Sequence, residues 1–181
     1  MPGSLWDFSL KTYRRPGVQD ACLKLQDELG ADVNMLLYCC WRGAIEAGEM
    51  AALLAELAPW QTDIVGGLRS VRRALKPMLA ELDVLFEPAS SLRKKIAALE
   101  LEAEKLQQDM LARHAAKDAK STPSSPHTAV RNLTRYIGVL AAAPNESQQH
   151  ALGTLIGAAF ADGNQTEIKV ALKNLIRPPV G

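Results

Sequence analysis

The strongest constraint on the fold is a run of apolar residues between Ile64 and Met110. Successive members are separated by four and three residues in strict alternation, which is the mean spacing of a heptad repeat. This spacing predicts helices that pack against other helices along one continuous stripe, which we call the apolar seam. The seam consists of Ile64, Leu68, Val71, Leu75, Met78, Leu82, Leu85, Ala89, Leu92, Ile96, Leu99, Ala103, Leu106 and Met110.

Two prolines interrupt the seam. Pro77 and Pro88 each remove a backbone donor and clash with the preceding helical turn, which excludes one straight helix over the whole run. We predict a helix that ends near Lys76, a short piece over 78–86 and a long helix over about residues 90–116. We expect the seam to be the packing spine of the domain.

Four further helices are predicted before the seam, the last of them a short one from about Gly48 to Leu57. The first spans Leu5–Tyr13 and is capped by Ser4, and the second ends before Gly30, which suits the residue after a helix. The third is capped by Asp32 and covers about residues 33–47. This third helix is apolar nearly all round, so we expect it to be buried on most sides.

The rest of the chain predicts more helices after a flexible segment. Residues 117–126 are rich in Ser and Pro and indicate a linker or exposed loop. Residues 127–181 contain helical apolar patterns, and we expect these C-terminal helices to pack on the helical core domain of residues 1–116. The fold class is therefore all-α, an irregular multi-helix bundle, and the chain shows no internal repeat of a solenoid.

Composition excludes several classes of protein. A net charge of +1 argues against a dedicated nucleic-acid binder, so a nucleic-acid partner is not expected. The three cysteines, of which Cys39 and Cys40 are adjacent, fit neither a disulfide framework nor a zinc site. The apolar run Met35–Trp41 is far shorter than the roughly 18 residues of a membrane span. We expect a cytoplasmic protein with reduced thiols and no membrane partner.

Charge is distributed unevenly along the chain. Residues 20–63 carry eight acidic and two basic side chains, whereas residues 69–95 carry seven basic and three acidic ones. One interpretation is that the two regions pack together and partly neutralise each other, and another is a plain solvated basic face.

A third interpretation is an anion site. Arg69, Arg72, Arg73 and Lys76 follow at steps that place them on one helix face, away from the seam. Arginine suits bidentate capture of phosphate or carboxylate. The sequence therefore favours a binding or interaction protein whose basic helix face takes an anionic ligand or an anionic protein partner.

The alternative function is an enzyme or metabolite-binding domain. Trp6, Trp41 and Trp60 are the only tryptophans, and each can anchor the core or form the wall of a ligand pocket. Asp32 and Asn34 would supply polar contacts in a pocket near Trp41 and Trp60. Convergence of these groups with the arginines on one concave pocket would favour this alternative.

Recognisable catalytic motifs are absent from the sequence. We find no phosphate-binding glycine loop, no zinc-protease motif and no nucleophile elbow, and the histidines have no partners at metal-ligand spacing. The sequence thus predicts no metal and no cofactor, and it leans against an enzyme. Self-association through the seam residues Leu92 to Met110 is a further possibility.

The N-terminal region resembles a known family. The resemblance rests on three stretches and extends to the later Leu68–Lys76 and Leu99–Glu104. It is similar to a proteobacterial family of uncharacterised proteins described only as a domain of unknown function, which implies a bacterial protein but no activity, cofactor or site. The three stretches are Leu5–Leu10 with Tyr13, Pro16–Val18 with Ala21–Asp27, and Asp32–Trp41.

Overall fold

The structure, a computed structural model, describes residues 4–117 and 124–175, and all regular structure within these ranges is helical. This confirms the all-α prediction. The helices are α1 (Leu5–Tyr13), α2 (Val18–Leu29), α3 (Val33–Trp41), α4 (Ala47–Pro59), α5 (Gly66–Met78), α6 (Phe86–Ala116), α7 (Pro126–Val139), α8 (Glu146–Ala159) and α9 (Gln165–Leu175).

Local capping signals set several helix ends as predicted. The Ser4 hydroxyl accepts a hydrogen bond from the Asp7 backbone N–H at 3.1 Å, and α1 begins at the next residue. Gly30 ends α2 in the left-handed conformation with φ of 67°, which carries no steric penalty for glycine. The Asp32 carboxylate accepts from the Asn34 N–H at 2.8 Å and so caps α3.

Helix α3 ends at Trp41, earlier than the predicted end near Ala47. The reason is a side chain from another helix. Asn132 of α7 accepts a hydrogen bond from the Ile45 N–H at 3.0 Å, and its amide nitrogen lies 2.8 Å from the Gly43 carbonyl oxygen. These backbone groups are therefore satisfied outside a helix, and α4 starts separately at Ala47.

Helix α3 lies at the centre of the core. Every residue from Asn34 to Cys40 is buried, as the all-round apolar pattern predicts. Helices α1, α2, α6, α7 and α8 contact α3, while α9 packs on α7 and α8. The core therefore includes helices on both sides of the predicted linker 117–126, most of which lies outside the described residues.

Helices α5 and α6 form an antiparallel hairpin, because Arg69 pairs with Glu104 and Arg72 pairs with Glu100. A π-helical turn, Trp60–Val65, joins α4 to α5 without a break after Pro59. Two short 3₁₀ turns, Leu79–Glu81 and Asp83–Leu85, join α5 to α6 at the tip.

The long helix α6 begins at Phe86 rather than near residue 90. Pro88 is then the third residue of the helix, where its missing N–H breaks no helical hydrogen bond. The basic residues Arg93–Lys95 lie beyond the first turn as a result, so they do not oppose the positive end of the helix dipole.

The expectation that the whole seam is the packing spine needs correction. Helix α5 has no buried residue, and every second member of the seam, one in each seven residues, is exposed. The intervening members are half-buried or buried, because only that side of each helix faces the other helix of the hairpin. The exposed members are Ile64, Val71, Met78, Leu85, Leu92, Leu99 and Leu106.

Within residues 4–117 and 124–175, the helices are all too short or too polar to cross a membrane.

Candidate functional site

A cavity of about 290 Å³ lies where α1, α2 and α3 meet the base of the hairpin. Helix α5 supplies Arg69, Arg72 and Arg73 to its wall, and α3 supplies Asn34. Four of the residues predicted as ligand-binding are therefore brought together in one concave site. The predicted basic face is not a flat surface, because side chains of α1, α2, α3 and α6 line the cavity together with its arginines.

The opposite wall of the cavity is mostly apolar. It is formed by side chains from α1, α2, α3 and α6, and Lys105 Nζ lies 5.8 Å from the centre of the Trp6 ring. Such a combination of apolar wall and a few charged groups is typical of small-molecule pockets. The apolar wall consists of Trp6, Leu10, Leu23, Val33, Leu37 and Leu101.

Two carboxylates of α6 hold the arginines in place. The Arg69 guanidinium donates to Glu100 at 2.8 Å and to Glu104 at 2.6 Å, and Arg72 Nε donates to the other Glu100 oxygen at 2.5 Å. The Glu100 side chain is only 7% exposed. The pairs form because residues three apart on α5 face residues four apart on an antiparallel α6. The arginine face is therefore pre-organised rather than freely solvated.

The two carboxyl groups have opposite pKa shifts. Burial tends to raise the pKa of Glu100, but hydrogen bonds from Arg72 and Arg69 outweigh it and hold the pKa below its usual value. Burial raises the pKa of Glu104, and the Glu100 and Asp32 charges reinforce the rise while Arg69 opposes it. Glu104 therefore takes up a proton at a higher pH than an ordinary carboxyl group.

Arg73 stands at the open side of the cavity. Its guanidinium pairs with Asp27 of α2 at 3.1 Å, and both side chains are more than half exposed. An exposed ion pair of this kind contributes at most about 1 kcal/mol, so a ligand anion can replace Asp27 at little cost. Lys76, the fourth member of the predicted basic face, is exposed one helical turn away and does not line the cavity.

Behind the cavity lies a buried polar network. Asn34 Nδ2 donates to Gln107 Oε1 at 2.8 Å, Gln107 Nε2 donates to the Asp32 carboxylate, and Gln108 Nε2 donates to Asn34 Oδ1 at 2.8 Å. Burial raises the pKa of Asp32 despite the hydrogen bonds from Asn34 and Gln107. Asp32 itself does not reach the cavity wall, so its role is to fix the start of α3.

Two polar atoms of the cavity wall are buried without a partner. Ser9 Oγ and Gln108 Oε1 have no hydrogen bond to any residue the structure describes, although both side chains line the cavity. Buried polar groups are nearly always hydrogen-bonded in folded proteins. Each atom has less than 1 Å² of accessible surface, so a ligand in the cavity contacts it only after a neighbouring side chain moves.

The predicted pocket near Trp41 and Trp60 is not where the cavity lies. Trp41 packs against the core with its ring 6.2 Å from that of Tyr38. Trp60 Nε1 donates to the Ala103 carbonyl at 3.1 Å, which anchors the π-helical turn to α6. Trp6 is the tryptophan in the cavity wall, because α1 packs beside α6.

Several wall residues were missed by sequence reasoning. Glu100 and Glu104 are four residues apart on α6, beside the seam. In an antiparallel hairpin, this spacing suggests them as partners for Arg69 and Arg72, which are three residues apart on α5. Ser9, Tyr13 and Gln108 carry no comparable signal, because each is an ordinary helical residue that only the packing brings to the cavity.

We expect Gln107→Ala to lower the free energy of unfolding by about 2 kcal/mol. The Gln107 side chain is fully buried, and its loss leaves Asp32 without this side-chain donor and Asn34 Nδ2 with only a 3.5 Å contact to the Glu104 carbonyl oxygen. Denaturant unfolding of the parent and variant measures the difference. The control is Gln165→Ala, which removes one exposed hydrogen bond and should change stability by less than about 0.5 kcal/mol. Equal losses in the two variants would contradict a network that supports the site.

Comparison with known proteins identifies the family but no activity. No curated protein and no solved structure matches the chain. A family model described as "Protein of unknown function (DUF2390)" matches residues 4–111, and every residue that lines the cavity falls within this range. Since the match covers more than half of the sequence, the chain belongs to the DUF2390 family of proteins of unknown function.

Proposed function

We propose that the protein binds a small organic anion in the cavity at the base of the hairpin. The observation that carries this proposal is the convergence of three arginines with two unpartnered polar atoms, those of Ser9 and Gln108, on one cavity. Arginine matches the geometry of carboxylate and phosphate groups and offers several donors at once. The cavity thus supplies donors for the charged group, and its wall contains two buried polar atoms that lack a partner among the described residues.

The arginines have different roles in this proposal. Arg69 and Arg72 are held by Glu100 and Glu104, so they shape the wall while their charges are largely neutralised. Arg73 is paired only with the exposed Asp27 and turns to the anionic group of the ligand when it enters. The charged group therefore binds at the mouth of the cavity.

The apolar wall selects the other end of the ligand. Trp6, Leu10 and Leu37 line the same cavity as the arginines. The volume of about 290 Å³ is at the lower limit of pockets for small molecules, which run from ~300 to 1,000 Å³. A compact aromatic or aliphatic acid, or its phosphate ester, satisfies both the charge and the size.

We also place the protein in the cytoplasm as part of this proposal. Cys22, Cys39 and Cys40 are free and buried. Free thiols of this kind are usual in proteins of a reducing compartment. Burial raises the pKa of Cys22 to about 12, which keeps that thiol unreactive.

The test measures binding of two aromatic anions, benzoate and phenyl phosphate, by calorimetry. We expect at least one of them to bind the parent, and Arg73→Ala to weaken it about 10-fold through loss of one charge-assisted contact. The control is Lys76→Ala, which removes a positive charge from the same helix outside the cavity and should leave the affinity within about 2-fold. Equal weakening by the two variants would mean that only the overall charge matters.

A further measurement distinguishes a binding site from an active site. Mass spectrometry of compounds that co-purify from native cells identifies the natural ligand. Conversion of that compound by the parent but not by Glu104→Gln would make the cavity an active site, with Glu104 as the group that exchanges the proton. Binding without conversion would leave it a binding site.

A further inference from the structure

The hairpin exposes an apolar surface that is separate from the cavity. Val71 and Met78 on α5, and Leu92 and Leu99 on α6, are each 50% to 55% exposed. A single exposed apolar side chain needs no explanation, but a periodic row of them on two adjacent helices does.

The four side chains lie on one face of the hairpin. At ~100° per residue, Val71 and Met78 lie about 40–60° to one side of the half-buried Leu75, and Arg72 lies about 60° to the other side. This places the α5 pair on the side of the helix away from Arg72.

The exposed apolar residues of α6 are arranged in the same way. Leu92 and Leu99 lie about 40–60° to one side of the half-buried Ile96, and Glu100 lies about 40° to the other side. Arg72 and Glu100 meet at 2.5 Å, so these two sides form one face of the hairpin, and the four apolar residues form the opposite face. We call this opposite face the apolar face.

The geometry of the apolar face matches half of a four-helix bundle. In such a bundle each helix contacts two neighbours, and a 3–4 spacing supplies one apolar row for each contact. Within the hairpin, one row of the seam faces the other helix and the second row faces outward. A second hairpin with the same two apolar rows would cover the outward-facing row. Another copy of this chain carries such a hairpin by necessity, so we take it as the partner.

The charges beside the apolar face are self-complementary. Lys95 and Glu102 are both exposed on the same side of α6 as Leu99. Lys95 lies four residues before Leu99, and Glu102 lies three residues after it. If two copies of α6 pack antiparallel about a two-fold axis near Leu99, Lys95 of each copy meets Glu102 of the other. The same axis places Leu92 opposite Leu106 of the second copy, which is also about half exposed.

The exposed apolar surface continues at the tip of the hairpin, where Val84, Leu85 and Phe86 are also exposed. With the four residues of the apolar face, seven large apolar side chains of the hairpin are 43% to 85% exposed. A cluster of this kind is typical of a surface that associates with a partner.

We infer that two copies of this chain associate through the apolar faces of their hairpins to form an antiparallel four-helix bundle. The contact is isologous, so each residue near the axis is used twice. The cavity lies on the opposite face of the hairpin base, and dimerisation leaves it open.

Sedimentation velocity over a range of concentrations tests this inference. We expect the parent to be a dimer and Leu99→Glu to raise the dissociation constant by at least ~100-fold, because two charges are buried at the axis of each dimer. The matched control is Val170→Glu on α9, at a side chain 47% exposed away from the hairpin, which should leave the dimer intact. Circular dichroism checks that each variant is folded.

A charge exchange gives a second measurement that does not depend on Leu99. Lys95→Glu alone should weaken the dimer, and combining it with Glu102→Lys should restore it, since the exchange only reverses the two complementary pairs. A parent that is monomeric at every concentration overturns the inference. The apolar face would then be a candidate site for a helix of another protein. A dimer that tolerates Leu99→Glu, or a charge exchange that restores nothing, overturns it as well.

Discussion

Replacement of Asn132 by Ala is expected to lower the free energy of unfolding by about 3–4 kcal/mol. The Asn132 side chain is fully buried and joins α7 to the backbone at the end of α3 and after it. Its oxygen accepts from the Ile45 N–H, and its nitrogen is within 3.3 Å of the carbonyl oxygens of Cys39, Arg42 and Gly43. Alanine removes the acceptor of the buried Ile45 N–H and the amide donor to these carbonyl oxygens.

Thermal or denaturant unfolding of the folded parent and Asn132→Ala checks this expectation. The matched control is Asn145→Ala, which removes the side chain that caps α8 by accepting from the Gln148 N–H at 2.9 Å. Loss of a cap at a helix end that water can reach costs about 1 kcal/mol. If Asn132→Ala cost no more than Asn145→Ala, the loop between α3 and α4 would be held by packing and not by this amide.

Glu100→Gln is expected to have opposite effects on stability and on ligand binding. The neutral side chain keeps its shape but no longer neutralises Arg69 and Arg72, so we expect stability to fall by about 2–3 kcal/mol at neutral pH. The same loss of negative charge raises the positive potential of the cavity. Affinity for benzoate or phenyl phosphate should therefore rise, by about 3- to 10-fold.

The stability effect has a defined pH dependence. Because the pKa of Glu100 is lower in the folded protein than its ordinary value of 4.5, its contribution is complete above pH 4.5 and is lost as the pH falls through the folded pKa. The stability difference between the parent and Glu100→Gln should therefore be constant near neutral pH and shrink at acid pH. Denaturant unfolding at several pH values measures it.

Asp109→Asn is the control for this experiment. Asp109 is an exposed carboxylate on the same helix, so its replacement should change stability by less than about 0.5 kcal/mol and leave anion affinity unchanged within about 2-fold. A stability loss in Glu100→Gln without a gain in affinity would show that the arginines act only as structural partners of α6. A gain in affinity without a loss of stability would show that the ion pairs do not support the hairpin.

The ends of several helices follow from signals that act within a few residues. Ser4 caps α1 through Asp7, Gly30 ends α2 and Asp32 caps α3, and each of these assignments was predicted from the sequence. The resemblance to a domain of unknown function was likewise confirmed by the match over residues 4–111. The helix ends depend on neighbouring residues, and the family match depends on sequence similarity, so neither requires the tertiary structure.

The candidate site depends on contacts between distant residues. The sequence identified Arg69, Arg72, Arg73 and Asn34 as candidates, but it could not bring them together with Trp6 of α1 or Glu100 of α6. It also placed the tryptophan wall at Trp41 and Trp60, since composition alone does not distinguish a core anchor from a cavity wall. Only the antiparallel turn of the hairpin decides which carboxylates meet the arginines.

The sequence by itself determined that the region from Ile64 to Met110 is helical and carries an apolar row with a heptad spacing. The tertiary structure decided that one row of this seam packs inside a hairpin while the other row stays exposed. The physical reason is that periodicity depends only on the 3.6-residue turn of a helix, whereas burial depends on how many neighbouring helices reach each side. Here α5 has one neighbour along most of its length, so its second apolar row faces outward.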